Sequence, residues 1–393
     1  MKARKYTFLL IFSVIIFGIN AQNSPYIKRV FEYRPAPGQY INELPPYEAG
    51  DTPETMRAKA QANLADDNKV MISLGGYGGY VVVGFDHPIV NVAGLADFKV
   101  LGNAFWANTN PNPDAPRRGG SCEPGIVMVS VDVNKNGLPD DPWYELAGSE
   151  YSKPETIKNY QITYYKPDEN KVKDPDNNYT FLNDTTYIRW TTNGHGSGHL
   201  YRNTFHNQPY YPQWISDSEL TFNGTKLANN YIDESGNGSY YVQYAYPWGY
   251  ADNAPNTDEM SNMNIEWAVD ADGNPVHLPA IDFVKIYTAV NQYCGWLGET
   301  STEVMGVTDL HPDAVVSSVK NPTATQALLL VSQGRLTVRS AGEIKEITIL
   351  DMHGKTIATS HNTQFVDLQH IPAGVYIAKI KIGNEIITRK FIK

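Results

Sequence analysis

Between Val129 and Gly148 the chain reads VSVDVNKNGLPDDPWYELAG. Asp132, Asn134, Asn136, Gly137, Leu138 and Asp140 stand at positions 1, 3, 5, 6, 7 and 9 of a loop. Alternating Asp and Asn side chains, a glycine at the sharpest bend and a main-chain carbonyl after it are how a short loop wraps oxygen ligands around calcium. Position 12, where a bidentate Glu belongs, is Trp143, so Asp141 or Glu145 must supply the missing carboxylate. The expectation is a structural Ca2+ held by Asp132, Asn134, Asn136, Leu138, Asp140, Asp141 and Glu145. A metal-free turn built by Asn-Gly and Pro-Asp chemistry accounts for the same residues. A third reading pairs Asp141 with Glu145 as the two carboxyls of a glycosidase, a role that depends on a separation spacing alone does not reveal.

Two aromatic groups suit a ligand surface: Tyr210, Tyr211 and Trp214, and then Tyr246, Trp248 and Tyr250 in YAYPWGYADN. Such rings stack on sugar faces or planar ligands, and they also fill sandwich cores. His195, His199 and His206 invite zinc, yet the first two are separated by small residues and no Glu, unlike the helical His-Glu-x-x-His design. His87, beside a proline, reads as a satisfied structural residue. Glu299, Glu303 and Asp309 lie in a turn-rich stretch with no nucleophile–base pattern, and no Gly-x-Ser-x-Gly occurs. LGGYGGY lacks the Gly-Lys-Ser/Thr ending of a phosphate loop.

The elements that must carry these residues read as strands. YVVVGF, DFKVLGNAF, GIVMVSVDV, NYQITYYKP, SYYVQYAYPW and IDFVKIYTAV are β candidates separated by turn signals, and VDADGNPV reads as a hairpin turn. The expected fold is all-β, a jelly-roll-like β-sandwich over 70–311, as one sandwich or two. Residues 22–69 read as an extended lead-in and one short helix. There Asp51 caps, Pro53 suits the first turn, Glu54 completes a capping box, and Met56, Ala60 and Leu64 share a face. Residues 312–326 read as a linker, and 327–393 as a small immunoglobulin-like β-sandwich with turns at Gly334, Gly354, Gly374 and Gly383.

The first residues have a signal-peptide layout: Lys2, Arg4 and Lys5, an apolar run from Tyr6 to Gly18, and Ala21 before a cut after residue 21. Loss of three basic residues takes the net charge from −10 to −13. That balance disfavours nucleic acid, whose binding needs clustered Lys and Arg. No later apolar run spans a bilayer. An exported chain permits a disulfide, and whether Cys122 and Cys294 pair stays open.

The C-terminal motifs ITILDMHGK, IPAGVYIAKI and GNEIITRKFIK closely resemble the type IX secretion sorting domain of Bacteroidetes. The resemblance implies export across the outer membrane and engagement of that machinery through residues 327–393. The loop after Val131 resembles the DxNxxGxxD calcium loops of dockerins and thrombospondin-type repeats and departs from the helix-flanked EF-hand. GGYGGYVVVGFDHPIVN, EPGIVMVSVD, GLPDDPWYELAGSEY and IDFVKIYTAVNQYCGWLGETSTEV resemble a group of Bacteroidetes surface proteins described as adhesin-like. Some of these accompany nutrient uptake, including cobalamin capture. The expectation is therefore a calcium-stabilised surface binding protein for a glycan or small nutrient. The alternatives are a polysaccharide hydrolase or lyase and a cobalamin-capture accessory protein.

Overall fold

The computed structural model describes residues 23–107, 118–314 and 327–393, apart from 333, 341, 342, 352, 353 and 384. The expected signal peptide and most of the expected linker lie outside these residues.

The β-branched runs form strands, and their period-two alternation decides how the strands are covered. Sheet I has the order Arg29–Arg34, Tyr80–Val90, Ala280–Thr288, Gly125–Ser130, Trp143–Leu146, Ala268–Val269, all antiparallel. Val81, Val83, Val127, Val129, Val284 and Ile286 enter one core with Phe98, Met56, Ala60 and Leu64. Tyr80, Ile126, Met128 and Tyr287 face the other core. That second core is closed by sheet II, whose order is Ser197–Asn203, Leu182–Thr192, Ile157–Tyr165, Glu219–Lys226. Ile162, Tyr164, Ile188, Leu220 and Phe222 supply its inner face. The fold is all-β and sandwich-like, as expected. The question of one sandwich or two resolves into two cores sharing sheet I.

Residues near the N-terminus are more integrated than an extended lead-in. Arg29–Arg34 is the edge strand of sheet I, and the amide of Asp309 donates to the carbonyl of Pro25 at 2.8 Å. Helix α1 spans Pro53–Leu64 and buries Met56, Ala60 and Leu64, the i, i+4, i+8 face read from the sequence. Its cap is Thr52 rather than Asp51, with a capping box closed by Thr55 rather than Glu54. Asp51 is otherwise engaged: it accepts from the amide of Glu48 at 2.8 Å and from Lys59 at 2.7 Å.

Smaller sheets frame the loops. Phe98–Leu101 pairs with Asn262–Met263 and Gly306–Asp309, Ile72–Ser73 pairs with Glu303–Val304, and Gly119–Ser121 lies between Phe105–Trp106 and Tyr241–Tyr244. Residues 327–393 form a separate sandwich of three and four strands. Its core is built by Leu336, Val338, Ile347, Ile349, Val366, Ala378 and Ile380. Among the described residues no helix is long and apolar enough to cross a membrane.

Candidate functional site

The loop after Val131 folds on its own amides. Asp132 accepts from the amides of Asn136 at 3.0 Å and Gly137 at 2.9 Å, and Asn136 Oδ1 accepts from Leu138 N at 2.8 Å. The side-chain amides of Asn134 and Asn136 donate to Asp140 at 3.1 and 2.9 Å. Those bonds, Asn136's first, hold the Asp140 carboxyl below its usual range. Asp141 accepts from Val133 N at 2.9 Å. The loop thus gathers Asp132, Asn134, Asn136, Asp140 and Asp141 through bonds that a metal-free turn also makes.

Glu145 stands apart from this set. It lies in the strand Trp143–Leu146, accepts from the Thr225 hydroxyl at 2.6 Å and sits 3.8 Å from Lys158. The fourth acid at the loop is instead Asp282, whose carboxylate accepts from Asp132 N at 2.8 Å. Burial, and then the charges of Asp132 and Asp141, push Asp282 upward. Asp282 belongs to the neighbouring strand of sheet I, so nothing local in the sequence pointed to it.

Most of the expected aromatic surface is core. Tyr210, Tyr211 and Tyr250 are 1% exposed and Trp214 is 6% exposed. The three tyrosine hydroxyls are used internally: Tyr210 donates to His206 O at 3.0 Å, Tyr211 donates to Asp217 O at 2.9 Å, and Tyr250 accepts from Glu150 N at 2.9 Å. Trp214 lies between Tyr33 and Tyr47, 6.2 Å from each centroid. Tyr246 packs half-buried against the second core, 5.5 Å from Tyr250.

Trp248 is the exception, at 40% exposed. Its ring lies 4.7 Å from that of Trp267, at an interplanar angle of 47°. The two indoles line an open cavity of about 350 Å³ with Ala96, Pro247, Glu259, Met260, Asn262 and Asn264. Asn262 Oδ1 is buried there and accepts no hydrogen bond among the described residues. Trp267 escaped the sequence reading because it sits on a single helical turn, Ile265–Trp267, outside the YAYPWGYADN cluster.

A buried acidic centre also went unassigned. Carboxylate oxygens of Glu123, Asp252 and Glu303 lie within 4.8 Å of one another. Asp252 Oδ1 accepts from Asn103 N and Ala104 N at 2.8 Å each, and its Oδ2 accepts from Glu303 N at 2.9 Å. Glu303 accepts from Ser73 at 3.1 Å, and Ser73 shares a 2.6 Å hydrogen bond with Ser301. Gly102 makes the approach possible, since a Cβ there would stand 2.2 Å from Asp252 Oδ1.

No lysine or arginine among the described residues forms an ion pair with the three acids. Burial is the first cause that raises each of them, and the charges of neighbouring acids add to it for Asp252 and Glu303. Glu123 moves to about 7 and Asp252 to about 8, while Glu303 stands well above its usual range. Oxygens this close take shared protons or a divalent cation. The centre joins five chain segments, which is why sequence alone offered only Glu303 without partners.

The histidines do not assemble into a metal site among the described residues. His206 contacts the Tyr40 hydroxyl at 3.1 Å, and His195 lies 5.5 Å from the Tyr160 ring. His87 lies between Asp86 at 2.6 Å and Asp309 at 2.8 Å, as a satisfied structural histidine does. Cys122 and Cys294 are both buried and free.

Comparison with known proteins gives one domain assignment. The family model described as the secretion system C-terminal sorting domain matches residues 332–393. No curated protein matches the chain. Among solved structures, HBP35 of Porphyromonas gingivalis is 10% identical over 72% of this chain and 66% of that one, with a TM-score of 0.13. A beta-glucuronidase of an uncultured Clostridium sp. is 9% identical over 74% of this chain and 46% of that one, with a TM-score of 0.15. The chain thus spans just under two thirds of the first and less than half of the second. The one assignment rests on the C-terminal sandwich: it is a type IX secretion sorting domain, and the protein is exported to the cell surface or released beyond it.

Proposed function

We propose that the exported body captures carbohydrate in the cavity between Trp248 and Trp267. The observation that carries this reading is the exposed Trp248 indole packed on the half-buried Trp267, beside Asn262, whose buried acceptor has no partner among the described residues. Indole faces match the C–H face of a pyranose, and amides at the rim meet its hydroxyls. A volume of about 350 Å³ falls at the small end of the ~300–1,000 Å³ typical of ligand sites, which suits one or two sugar units of a longer chain. Affinity electrophoresis of the mature protein in gels containing laminarin, mannan, xylan or galactan tests it. Retardation by at least one polysaccharide, lost in Trp248→Ala, is expected. Equal mobility in every gel contradicts it.

Calcium belongs to the same proposal as a structural ion. The ligands are Asp132, Asn134, Asn136, Asp140 and Asp141, with the Leu138 carbonyl, and Asp282 replaces Glu145 as the nearby additional carboxylate. What supports this is the convergence of Asp132, Asp141 and Asp282.

A further inference from the structure

A second cavity, of about 300 Å³, opens where three parts of the body meet. One side is the first turns of helix α1, with Pro53, Glu54 and Arg57. Another is the end of Arg29–Arg34, the edge strand of sheet I. The third runs from Trp214 to Leu220, which enters the edge strand of sheet II. Ligand sites favour such junctions of elements.

The floor of this cavity is apolar and rigid. Tyr33, Trp214 and Leu220 line it and are at most 6% exposed. The Tyr33 hydroxyl donates to Ser73 O at 2.8 Å, and the Trp214 ring is wedged between those of Tyr33 and Tyr47. Pro53 and Ile215 extend the apolar lining.

Charged side chains form the rim, and most of them already have partners. Arg57 makes a two-point ion pair with Glu54 and donates to Val30 O at 2.6 Å. Glu32 accepts from the Tyr80 hydroxyl at 2.6 Å. Arg34 and Asp217 remain. Both are exposed, and neither forms an ion pair among the described residues. The Arg34 guanidinium rests 5.8 Å over the Phe222 ring and hydrogen-bonds the Tyr80 hydroxyl. Both charges reach Tyr211: burial raises its hydroxyl first, then Asp217 raises it further and Arg34 opposes this. Two opposite charges thus border one space without closing on each other.

That arrangement suits a ligand carrying both charges. A guanidinium takes a carboxylate through two parallel hydrogen bonds, and a carboxylate takes an ammonium through charge-assisted ones. The floor between them accepts an apolar side chain. A neutral sugar leaves both charges unanswered, and a polyanion meets Glu32, Glu54 and Asp217 as well as the arginines. The volume lies at the bottom of the ~300–1,000 Å³ range of ligand sites, which fits one small molecule.

We propose that this cavity binds a small zwitterion with an apolar side chain, a free α-amino acid or a dipeptide, whose carboxylate meets Arg34 and whose ammonium meets Asp217. The site shares no residue with the Trp248 cavity and does not rest on carbohydrate capture.

Equilibrium dialysis of the mature full chain against leucine, phenylalanine, leucyl-leucine, N-acetyl-leucine and leucinamide tests it. Saturable retention of at least one of the first three is expected. It is expected to be at least tenfold (~1.4 kcal/mol) tighter than that of N-acetyl-leucine, which lacks the ammonium, or leucinamide, which lacks the carboxylate. Tighter retention of the single amino acids identifies a free amino acid as the occupant, and tighter retention of leucyl-leucine a dipeptide. Arg34→Gln and Asp217→Asn are each expected to weaken retention at least tenfold at unchanged melting temperature. The blocked ligands probe the same two charges on the wild-type chain, whatever the substitutions do to folding. The proposal is overturned if none of the three zwitterions is retained saturably, if both blocked ligands are held as tightly as the zwitterions, or if either variant binds with wild-type affinity.

Discussion

Glu123 shows why chemistry at the residue scale was only partly legible. Its partners Asp252 and Glu303 lie far along the chain, and only the pairing of small sheets brings their oxygens within 4.8 Å. The aromatics failed for a related reason. A tyrosine buried in a core and one offered to a ligand have the same local signature, so Tyr210 and Trp248 could not be told apart before burial was known. The acidic centre also sets a pH dependence. An acid whose folded pKa is raised keeps its proton where the unfolded chain has released one, so the unfolded state gains as pH climbs. Stability from this centre is therefore greatest below the ordinary carboxyl range of about 4 and falls through the folded values near 7 and 8. Urea midpoints in the presence of chelator are expected to drop between pH 5 and pH 8. Glu123→Gln, which keeps an acceptor for Gln243, is expected to flatten that slope; an unchanged slope removes the proton-sharing account.

Elements were read better than sites because their signals are local. The Met56, Ala60 and Leu64 face of α1 was visible as a period, and all three are at most 1% exposed. The cap was placed one residue early because Asp51 and Thr52 both qualify, and Asp51 is drawn instead to Lys59, two turns into the same helix. Leu64→Ala is expected to lower stability by ~2–5 kcal/mol and Thr52→Ala by ~1 kcal/mol, measured by urea unfolding. The loop at Asp132 gives the third expectation at this scale. Calcium is expected to raise the melting temperature and chelator to reverse it, with Asp132→Ala insensitive to either. A melting temperature that ignores both calcium and chelator leaves the loop a self-satisfied turn.

At the scale of the whole molecule, the sorting domain was legible in its own motifs, and the family model matches residues 332–393. What the sequence did not reveal was the sharing of sheet I by two cores and the recruitment of Arg29–Arg34 as an edge strand. The single strand at Arg29–Arg34 carries no hairpin partner nearby in sequence, so its pairing with Tyr80–Val90 was invisible locally. Deletion of 327–393 is expected to abolish surface appearance in a host with the type IX machinery while the body stays folded, as read by cell fractionation and protease resistance. The proposed carbohydrate capture is tested most directly at Trp248. Isothermal titration of the mature chain with the polysaccharide that retards it most is expected to show saturable binding, at least tenfold weaker (~1.4 kcal/mol) in Trp248→Ala at equal melting temperature. Binding to Trp248→Ala as tight as to the wild type would contradict the placement of the ligand between Trp248 and Trp267.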